Sequence, residues 1–427
     1  MSERRAGVAS ARQVAVSALL RVTQDQAYAA AVLAQALDAL PSAAERALAT
    51  ELCYGVLRAE RYLQRRLERH ADLGRTDAEV LAVLLLGAYQ LEFLDRIPAH
   101  AAVSESVELV RAHGRWATGF VNAVLRKVAG DREGRLPREE AILTSAPAWL
   151  RKRLERDVGA EAARALLVPR TAPRSDLRLR PGRELPADLQ LEPLSYAGAF
   201  RFAGGGELAR HPAHARGDFQ VQELGSQLVA RLSAVRPGER VLDACAGRGQ
   251  KTASFLDAGG TVLATDLYEH KLRALTTELE RYGLAATTRV VDFSHEPPAE
   301  LLAAFDVVVL DAPCTGTGTL RRRPEIARRL TPDSPRELAA LQVSLLRQAA
   351  RCLAPGGRLV YSTCSVLREE AEQVLGSVVD VLAPAPLPAS AATVELGLAA
   401  GAPSVRLLPT TTDSDGYFVA ALVRQPS

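Results

Sequence analysis

The feature that most constrains the fold is a regular alternation of apolar runs and amphipathic helical segments after residue 217. Strands are predicted over residues 240–244, 261–265, 288–291, 306–310, 358–362, 405–408 and 417–423. Helices are predicted over residues 223–233, 268–282, 335–353 and 368–378. This alternation predicts an α/β fold with a doubly wound, mostly parallel sheet. Residues 384–403 are rich in Pro and Ala without a clear period, which favours a loop.

Acidic residues stand at the ends of four predicted strands: Asp243, Asp266, Asp292 and Asp311. Open α/β sheets bind their ligands at the carboxyl ends of the strands. Any one of these carboxylates could simply cap the following helix. Four in succession would repel a pyrophosphate, whereas they suit a ligand with a sulfonium and an amino group. The pattern favours S-adenosylmethionine.

A glycine-containing loop follows the first of these strands. Its residues are Cys245, Ala246, Gly247, Arg248, Gly249, Gln250 and Lys251. The two glycines permit a tight turn and a close approach of the backbone to a ligand at a helix N-terminus. A Gly-x-Gly after a strand would also suit a dinucleotide enzyme, so an NAD-dependent oxidoreductase remains an alternative at this point.

Two cysteines follow directly on predicted strands. Cys314 comes three residues after Asp311, and Cys364 lies in a hydroxyl-rich turn after the strand at 358–362. Both are therefore expected at one crevice, where a thiol can be a nucleophile, a metal ligand or a buried small hydrophobe. The chain has five cysteines, an odd number that favours reduced thiols over a disulfide framework. No Cys or His spacing indicates a zinc site, and no metal is expected.

The first 135 residues predict an all-α domain. Helical periodicity covers residues 11–22, 28–40, 80–94, 99–113 and 116–128, with capping-box signatures at Ser42 with Glu45 and at Thr76 with Glu79. Residues 80–91 are apolar nearly all round, which predicts the central helix of a bundle. The domain carries no catalytic constellation and is interpreted as an RNA-binding or scaffold module.

Basic clusters occur at residues 151–153, 170–183 and 321–323. The stretch 169–181 alternates apolar residues and arginines as a strand would, and its arginines are expected to contact a phosphate backbone. Residues 136–216 are therefore predicted to form a small basic α/β connecting region that binds RNA. Residues 217–427 form the predicted catalytic domain.

The composition is that of an ordinary globular protein, with 48% apolar and 24% charged residues in a chain of 427. The net charge of +3 says little about partners. The chain start lacks the apolar core of a secretory signal, and the longest apolar run in the first half is shorter than the roughly 18 residues that cross a bilayer. We expect a cytoplasmic protein that does not interact with membranes.

Four motifs resemble the signatures of the RNA 5-methylcytosine methyltransferases of the Sun/NOL/NOP group. They are Asp311-Ala312-Pro313-Cys314-Thr315-Gly316-Thr317-Gly318, Arg322-Arg323-Pro324-Glu325-Ile326, Tyr361-Ser362-Thr363-Cys364-Ser365 and Asp415-Gly416-Tyr417-Phe418. Gln220-Val221-Gln222-Glu223 is similar to the entry motif of that group. The helical N-terminal part resembles the NusB-like domain of the Sun/Fmu branch, whose members act on 16S ribosomal RNA. The resemblance implies a class I, Rossmann-like, S-adenosylmethionine-dependent methyltransferase domain behind a NusB-like bundle.

The resemblance also implies roles for individual residues. Cys364 would be the nucleophile, Cys314 would assist product release, and Asp311 would contact the cytosine and border the cofactor. The loop from Cys245 to Lys251 would bind S-adenosylmethionine, with Asp266 at the ribose and Asp292 at the adenine. The loop of the group usually reads Ala-Pro-Gly-Gly where this chain has Gly-Arg-Gly-Gln, and we expect Arg248 to point outward.

RNA is the expected partner, most of all 16S ribosomal RNA, and a monomer is expected. Two alternatives remain beside the ribosomal enzyme. One is a transfer RNA cytosine-5 methyltransferase. The other is a non-catalytic RNA-binding assembly or antitermination factor, against which the presence of both Cys314 and Cys364 argues.

Overall fold

The structure is a computed structural model that describes residues 10–169, 174–204 and 208–425. The helices are α1 (Ala11–Gln24), α2 (Ala29–Ala36), α3 (Ala43–Glu68), α4 (Ala78–Phe93), α5 (Ala99–Leu109), α6 (Arg115–Gly130), α7 (Arg138–Ser145), α8 (Ala148–Val158), α9 (Ala160–Leu167), α10 (Pro212–Ala215), α11 (Leu224–Leu232), α12 (Gln250–Asp257), α13 (Glu269–Arg281), α14 (Ile326–Arg329), α15 (Ser334–Arg351), α16 (Glu372–Gly376), α17 (Ala391–Glu395) and α18 (Pro409–Thr412). The strands are β1 (Asp176–Leu179), β2 (Leu191–Pro193), β3 (Ala199–Phe202), β4 (Phe219–Val221), β5 (Arg240–Asp243), β6 (Thr261–Asp266), β7 (Thr287–Val290), β8 (Phe305–Asp311), β9 (Leu353–Thr363), β10 (Leu382–Ala385), β11 (Ser404–Leu407) and β12 (Tyr417–Arg424).

The chain folds into two compact units. The first comprises Met1–Lys152 and Leu320–Arg329, and the second comprises Arg153–Thr319 and Leu330–Ser427. The N-terminal part is all-α, and the unit that follows it is built around a mixed sheet. The finer division into residues 1–135, 136–216 and 217–427 stays a prediction.

The first unit is a helical bundle with α4 at its centre, as predicted. Val83, Leu84 and Tyr89 of α4 are fully buried, because a helix that is apolar all round must be covered on every side. The predicted cap at Ser42 is confirmed, since its hydroxyl accepts the Glu45 N–H at 3.2 Å. The predicted cap at Thr76 is wrong: α4 is capped one residue later, by Asp77, whose carboxylate accepts the Glu79 N–H at 2.8 Å.

Residues 320–329, which we call the docking segment, belong to the bundle despite their distance in sequence. Glu325 is 1% exposed and accepts the Ala29 N–H at 3.1 Å, at the start of a helix whose own N-cap residue supplies no side-chain cap. Arg328 donates to both carboxylate oxygens of Glu60 at 2.6 Å. Within the basic cluster at residues 321–323, the Arg321 side chain is buried and is not available to a phosphate backbone.

The second unit contains the predicted doubly wound sheet. Its strand order is β10-β12-β9-β8-β5-β6-β7, with β11 paired to β12. The strands from β7 to β9 in this order are parallel, and β12 runs antiparallel to β9. Alternate residues of β8 enter opposite cores: Leu310 packs with Tyr361 on one face, and Val309 packs with Val360 on the other.

A second, antiparallel sheet in the order β2-β3-β1-β4 lies in the same unit. It takes up part of the basic stretch at 169–181, of which residues 170–173 lie outside the described residues. The expectation of phosphate-facing arginines is wrong for Arg178 and Arg180, because both donate to Asp257 of α12, at 2.7 and 2.8 Å. These arginines therefore join the small sheet to helix α12.

The stretch at 384–403 is not the loop that was expected throughout. It contains α17, which begins at Ser390 with a reciprocal capping box to Thr393, a signal that the Pro and Ala content obscured. Across the described residues, no helix combines the length and the apolarity needed to cross a bilayer.

Candidate active site

The two predicted thiols meet at the carboxyl edge of the sheet. β8 and β9 are parallel neighbours, so the loops that follow them start side by side. The Cys314 and Cys364 sulfurs are 3.1 Å apart, and both cysteines are free and half-buried. The prediction that they share one crevice is confirmed.

Backbone contacts between glycines bring three of the sequence motifs together. The Gly318 N–H donates to the Cys364 carbonyl at 2.9 Å, and the Gly416 N–H donates to the Gly318 carbonyl at 2.8 Å. A Cβ atom on Gly318 would lie 2.0 Å from the Gly416 carbonyl oxygen. The two backbone segments approach so closely that a side chain would not fit between them. This explains why each motif has a glycine at this position.

Asp311, at the end of β8, connects the cofactor loop to the loop of Cys364. Its carboxylate accepts from the Lys251 ammonium at 2.6 Å and from the Ser362 hydroxyl at 2.8 Å. Burial, the largest single effect, disfavours the Lys251 ammonium, but the charge and hydrogen bond of Asp311, together with smaller contributions from Asp243 and Cys364, raise the pKa of Lys251. The site therefore holds a partly buried cation beside the thiols.

Glu370 is a site residue that the sequence analysis missed. It is fully buried and accepts from the Thr315 N–H at 2.8 Å and from the Gln342 amide at 3.1 Å. Burial raises its pKa. The sequence predicted a helix over residues 368–378, in which Glu370 is one of three glutamates between positions 369 and 372. No local signal distinguishes Glu370 from its neighbours, because only the fold places it under the Cys314 loop.

The two thiols have different electrostatic surroundings. The pKa of Cys314 is raised well above its ordinary value, because Cys314 shares a hydrogen bond with Cys364, is buried and interacts with the Glu370 carboxylate. Cys364, in contrast, interacts with the Lys251 ammonium. An anion near the Cys314 sulfur, together with its burial, favours the protonated thiol at Cys314.

The predicted cofactor loop turns between β5 and α12. Gly247 and Gly249 adopt φ angles of 58° and 80°, in the region where glycine carries no steric penalty. The Gly247 N–H donates to Asp266 at 3.1 Å, which joins the loop to the end of β6. Arg248 is exposed, as expected.

Of the remaining residues of this region, Asp266 and Asp292 lie at the sheet edge, whereas Cys245 and Asp243 are packed against or within the core. Asp266 and Asp292 lie after neighbouring strands at the sheet edge; the Ser294 side chain and backbone N–H lower the pKa of Asp292. Cys245 packs partly against the core, and burial raises its pKa. The interpretation of Asp243 as a ligand-facing carboxylate is wrong: it is 1% exposed and accepts the Thr252 hydroxyl at 2.7 Å.

These residues fit S-adenosylmethionine. Three carboxylates, Asp266, Asp292 and Asp311, border the sheet edge, and the exposed side chain of Tyr268 stands beside Asp266. The Gln222 Oε1 atom is buried and unpaired in the described structure, and the amide of the same side chain contacts the Gln250 carbonyl at 3.4 Å. An unpaired acceptor beside the loop suits a ligand with an ammonium group. Among the described residues, no group of three or more potential metal ligands occurs.

Sheet order, glycine loop and acidic strand ends together define a class I S-adenosylmethionine-dependent methyltransferase. A family model described as 16S rRNA methyltransferase RsmB/F matches residues 230–423, and a NusB family model matches residues 9–130. The ribosomal RNA small subunit methyltransferase B of Xanthomonas campestris is 36% identical over 98% of this chain and 98% of its own length. The Thermus thermophilus protein of that name is 36% identical over 85% of this chain and 86% of its own length. The chain belongs to this family of S-adenosylmethionine-dependent RNA methyltransferases.

Solved structures agree on the fold. The crystal structure of PH0851 superposes with a TM-score of 0.82 at 21% identity, over 97% of this chain and 98% of that one. NSun6 from Pyrococcus horikoshii, solved with SFG, has a TM-score of 0.54 at 19% identity, over 66% of this chain and 99% of that one.

Proposed function

We propose that the protein methylates carbon 5 of a cytosine in ribosomal RNA, most specifically 16S ribosomal RNA, through a covalent adduct with Cys364. The observation that carries this proposal is the pair of thiols 3.1 Å apart, next to a carboxylate that is itself paired with a buried lysine. A methyltransferase that modified an amino or hydroxyl group would need no second thiol at this position.

The chemistry explains why a thiolate is needed. Carbon 5 of cytosine is too weak a nucleophile to accept a methyl group directly. Addition of the Cys364 thiolate to carbon 6 makes carbon 5 an enamine carbon, which is nucleophilic. Bound S-adenosylmethionine supplies the electrophilic methyl group. The carbon 5 proton then leaves to water, its bonding electrons restore the double bond between carbons 5 and 6, and the bond between carbon 6 and the Cys364 sulfur breaks to return the Cys364 thiolate. The protonated Cys314 assists this departure from its position beside that sulfur.

The surroundings of each thiol support Cys364 as the nucleophile and Cys314 as the helper. The hydrogen bond with Cys364, burial and the Glu370 charge keep the proton on Cys314, whereas Cys364 interacts with the Lys251 ammonium. Asp311 is held by Lys251 and Ser362 with one carboxylate oxygen on each. Its place at the strand end supports a role in orienting the cytosine ring.

The cofactor would be held by the loop from Cys245 to Lys251, mostly through its backbone. Asp266 would bind the ribose hydroxyls, and Asp292 would lie by the adenine. The open space around Gly247, where a Cβ atom would meet nothing within 4 Å, supports this use of the loop. Exposed Arg248 does not obstruct it.

The choice of ribosomal RNA rests on the names of the relatives. The test is incubation with methyl-labelled S-adenosylmethionine and either naked 16S ribosomal RNA or transfer RNA, followed by nucleoside analysis. We expect label in 5-methylcytosine of the ribosomal RNA, none with Cys364→Ala, and a covalent protein–RNA adduct that accumulates with Cys314→Ala. Cys352→Ala, at a buried thiol outside the site, is the matched control.

Label in a different nucleoside, or in 5-methylcytosine with Cys364→Ala, would overturn the two-thiol mechanism. Label in transfer RNA alone would replace the substrate but not the chemistry. Binding of RNA without any transfer would favour the non-catalytic assembly factor.

A further inference from the structure

An exposed tryptophan on α6 has no role in the site described above. The Trp116 side chain is 58% exposed, although the opposite face of the same helix, with Val121, Val124 and Leu125, is buried in the bundle. Burying an indole is one of the larger hydrophobic gains available to a chain. An exposed tryptophan on a well-packed helix is therefore a candidate contact residue.

The residues around Trp116 form a basic strip. At 100° per residue, the exposed residues Arg115, Trp116, Gly119, Ala123, Arg126 and Lys127 fall within an arc of about 120°. They span about 18 Å along the axis. We call these six residues the α6 strip. Gly119 and Ala123 have small side chains, so the middle of the strip projects little from the helix. A Cβ atom on Gly119 would meet nothing within 4 Å.

The charges of the α6 strip are not neutralised within the bundle. Helix α6 contains no Asp or Glu. In the described part of the chain, the side chains of Arg115 and Lys127 form no hydrogen bond or ion pair, and Arg126 contacts only Asn122. The acidic residues of the preceding helix are engaged elsewhere, Glu105 with Arg12 and Glu108 with Arg111.

The other exposed aromatic ring of the bundle shows the contrast. Tyr28 is 48% exposed, but the guanidinium groups of Arg323 and Arg329 lie over its ring at 5.2 and 4.9 Å. Tyr28 is thus part of the docking segment's contacts. Among the residues that the structure describes, no guanidinium or ammonium group lies over the Trp116 ring.

We propose that the α6 strip is a contact surface for single-stranded RNA, with one base stacked on Trp116 and the phosphates on Arg115, Arg126 and Lys127. Unpaired bases stack on aromatic side chains while cations track the backbone. A protein partner would require a wider apolar patch than one indole flanked by glycine and alanine. This inference rests on the proposed function, in which RNA is the substrate.

The test uses the fact that the chain has only two tryptophans. In a Trp149→Phe background, Trp116 is the sole indole, and titration with a short single-stranded oligoadenylate is expected to quench its fluorescence. In the full chain, Trp116→Ala is expected to weaken oligoadenylate binding about 5- to 150-fold, and Trp116→Phe to retain part of the affinity. Arg126→Ala with Lys127→Ala is expected to reduce the salt dependence of binding. Val394→Ala, at an exposed apolar residue far along the chain, is the control.

Methyl transfer to 16S ribosomal RNA is measured separately. A raised KM with an unchanged kcat for Trp116→Ala supports the proposal. If oligoadenylate quenches Trp116 and Trp116→Ala weakens its binding, but the wild type transfers no methyl group, the RNA-binding proposal is supported and the proposed function is refuted. Absence of quenching, or unchanged oligoadenylate affinity and KM in a folded Trp116→Ala protein, overturns it and leaves the proposed function intact. Quenching that depends on protein concentration without RNA would identify a second copy of the chain as the occupant and would also overturn it.

Discussion

The Lys251 ammonium lies 2.6 Å from the Asp311 carboxylate, although the two residues are 60 positions apart in the sequence. Burial disfavours the charge on the lysine, and the aspartate restores it. The pair keeps one cation next to the thiols at neutral and moderately alkaline pH.

Removal of the Asp311 charge should therefore change the pH dependence as well as the rate. In Asp311→Asn, burial of Lys251 persists without its main opposing charge, so the pKa of the lysine falls. We expect single-turnover methyl transfer to slow by about 100-fold. We also expect the alkaline limb of its pH–rate profile to move to lower pH. Ser362→Ala, which removes a hydrogen bond but keeps the ion pair, should leave that limb in place. An unmoved limb in Asp311→Asn would exclude this role for the pair.

Gly318→Ala should disrupt the active site. The added methyl group would lie 2.0 Å from the Gly416 carbonyl oxygen and 2.8 Å from the Cys364 carbonyl oxygen, so the backbone at Cys364 must shift. We expect a loss of about 1–3 kcal/mol in unfolding free energy and loss of adduct formation. Gly376→Ala is the control, because a methyl group added there would meet nothing within 4 Å. If Gly318→Ala had the stability and adduct formation of the wild type, the two loops would have moved apart to accommodate the methyl group.

Asp243 should make the second unit less stable as pH rises. Burial raises the pKa of its carboxyl from 3.8 to about 7, against the lowering effect of the Thr252 hydroxyl. The folded protein binds the proton more tightly than the unfolded chain, so this stabilisation is complete below about pH 4 and is lost as pH rises toward about 7. Asp243→Asn, which can still accept from Thr252, should gain stability relative to wild type across that range in urea unfolding. Parallel curves of unfolding free energy against pH for the two proteins would contradict this account.

The ion pair between Glu60 and Arg328 should stabilise the bundle. Glu60 is largely buried, with 12% of its side chain exposed against 34% for Arg328. We expect Glu60→Arg or Arg328→Glu each to cost about 1–3 kcal/mol and the double exchange to recover most of it, measured by thermal unfolding. Arg336→Glu is the control, because that residue lies 3.8 Å from Asp333 and both side chains are mostly exposed. A double exchange no more stable than the single variants would show that the docking segment is held by other contacts.

Elements whose signals are local could be predicted from the amino-acid sequence. The strands ending at Asp266 and Asp311, the apolar helix α4 and the cap at Ser42 all follow from periodicity, strand-end chemistry and capping within a few residues. The placement of Cys314 and Cys364 at one edge of the sheet was also predicted, because parallel strands bring their carboxyl ends to one edge; that the two strands are neighbours is a finding of the structure.

The contacts between residues far apart in the sequence became known from the folded structure. Arg178 and Arg180 were expected to face a phosphate backbone but donate to Asp257, 77 or more residues away. Glu370 was one acid in a charged run, yet it is buried under the Cys314 loop. Burial of a charged side chain depends on partners that bring compensating hydrogen bonds from distant segments. A local sequence pattern does not identify those distant partners. The fold is therefore needed to distinguish a charged residue on the surface from a buried one.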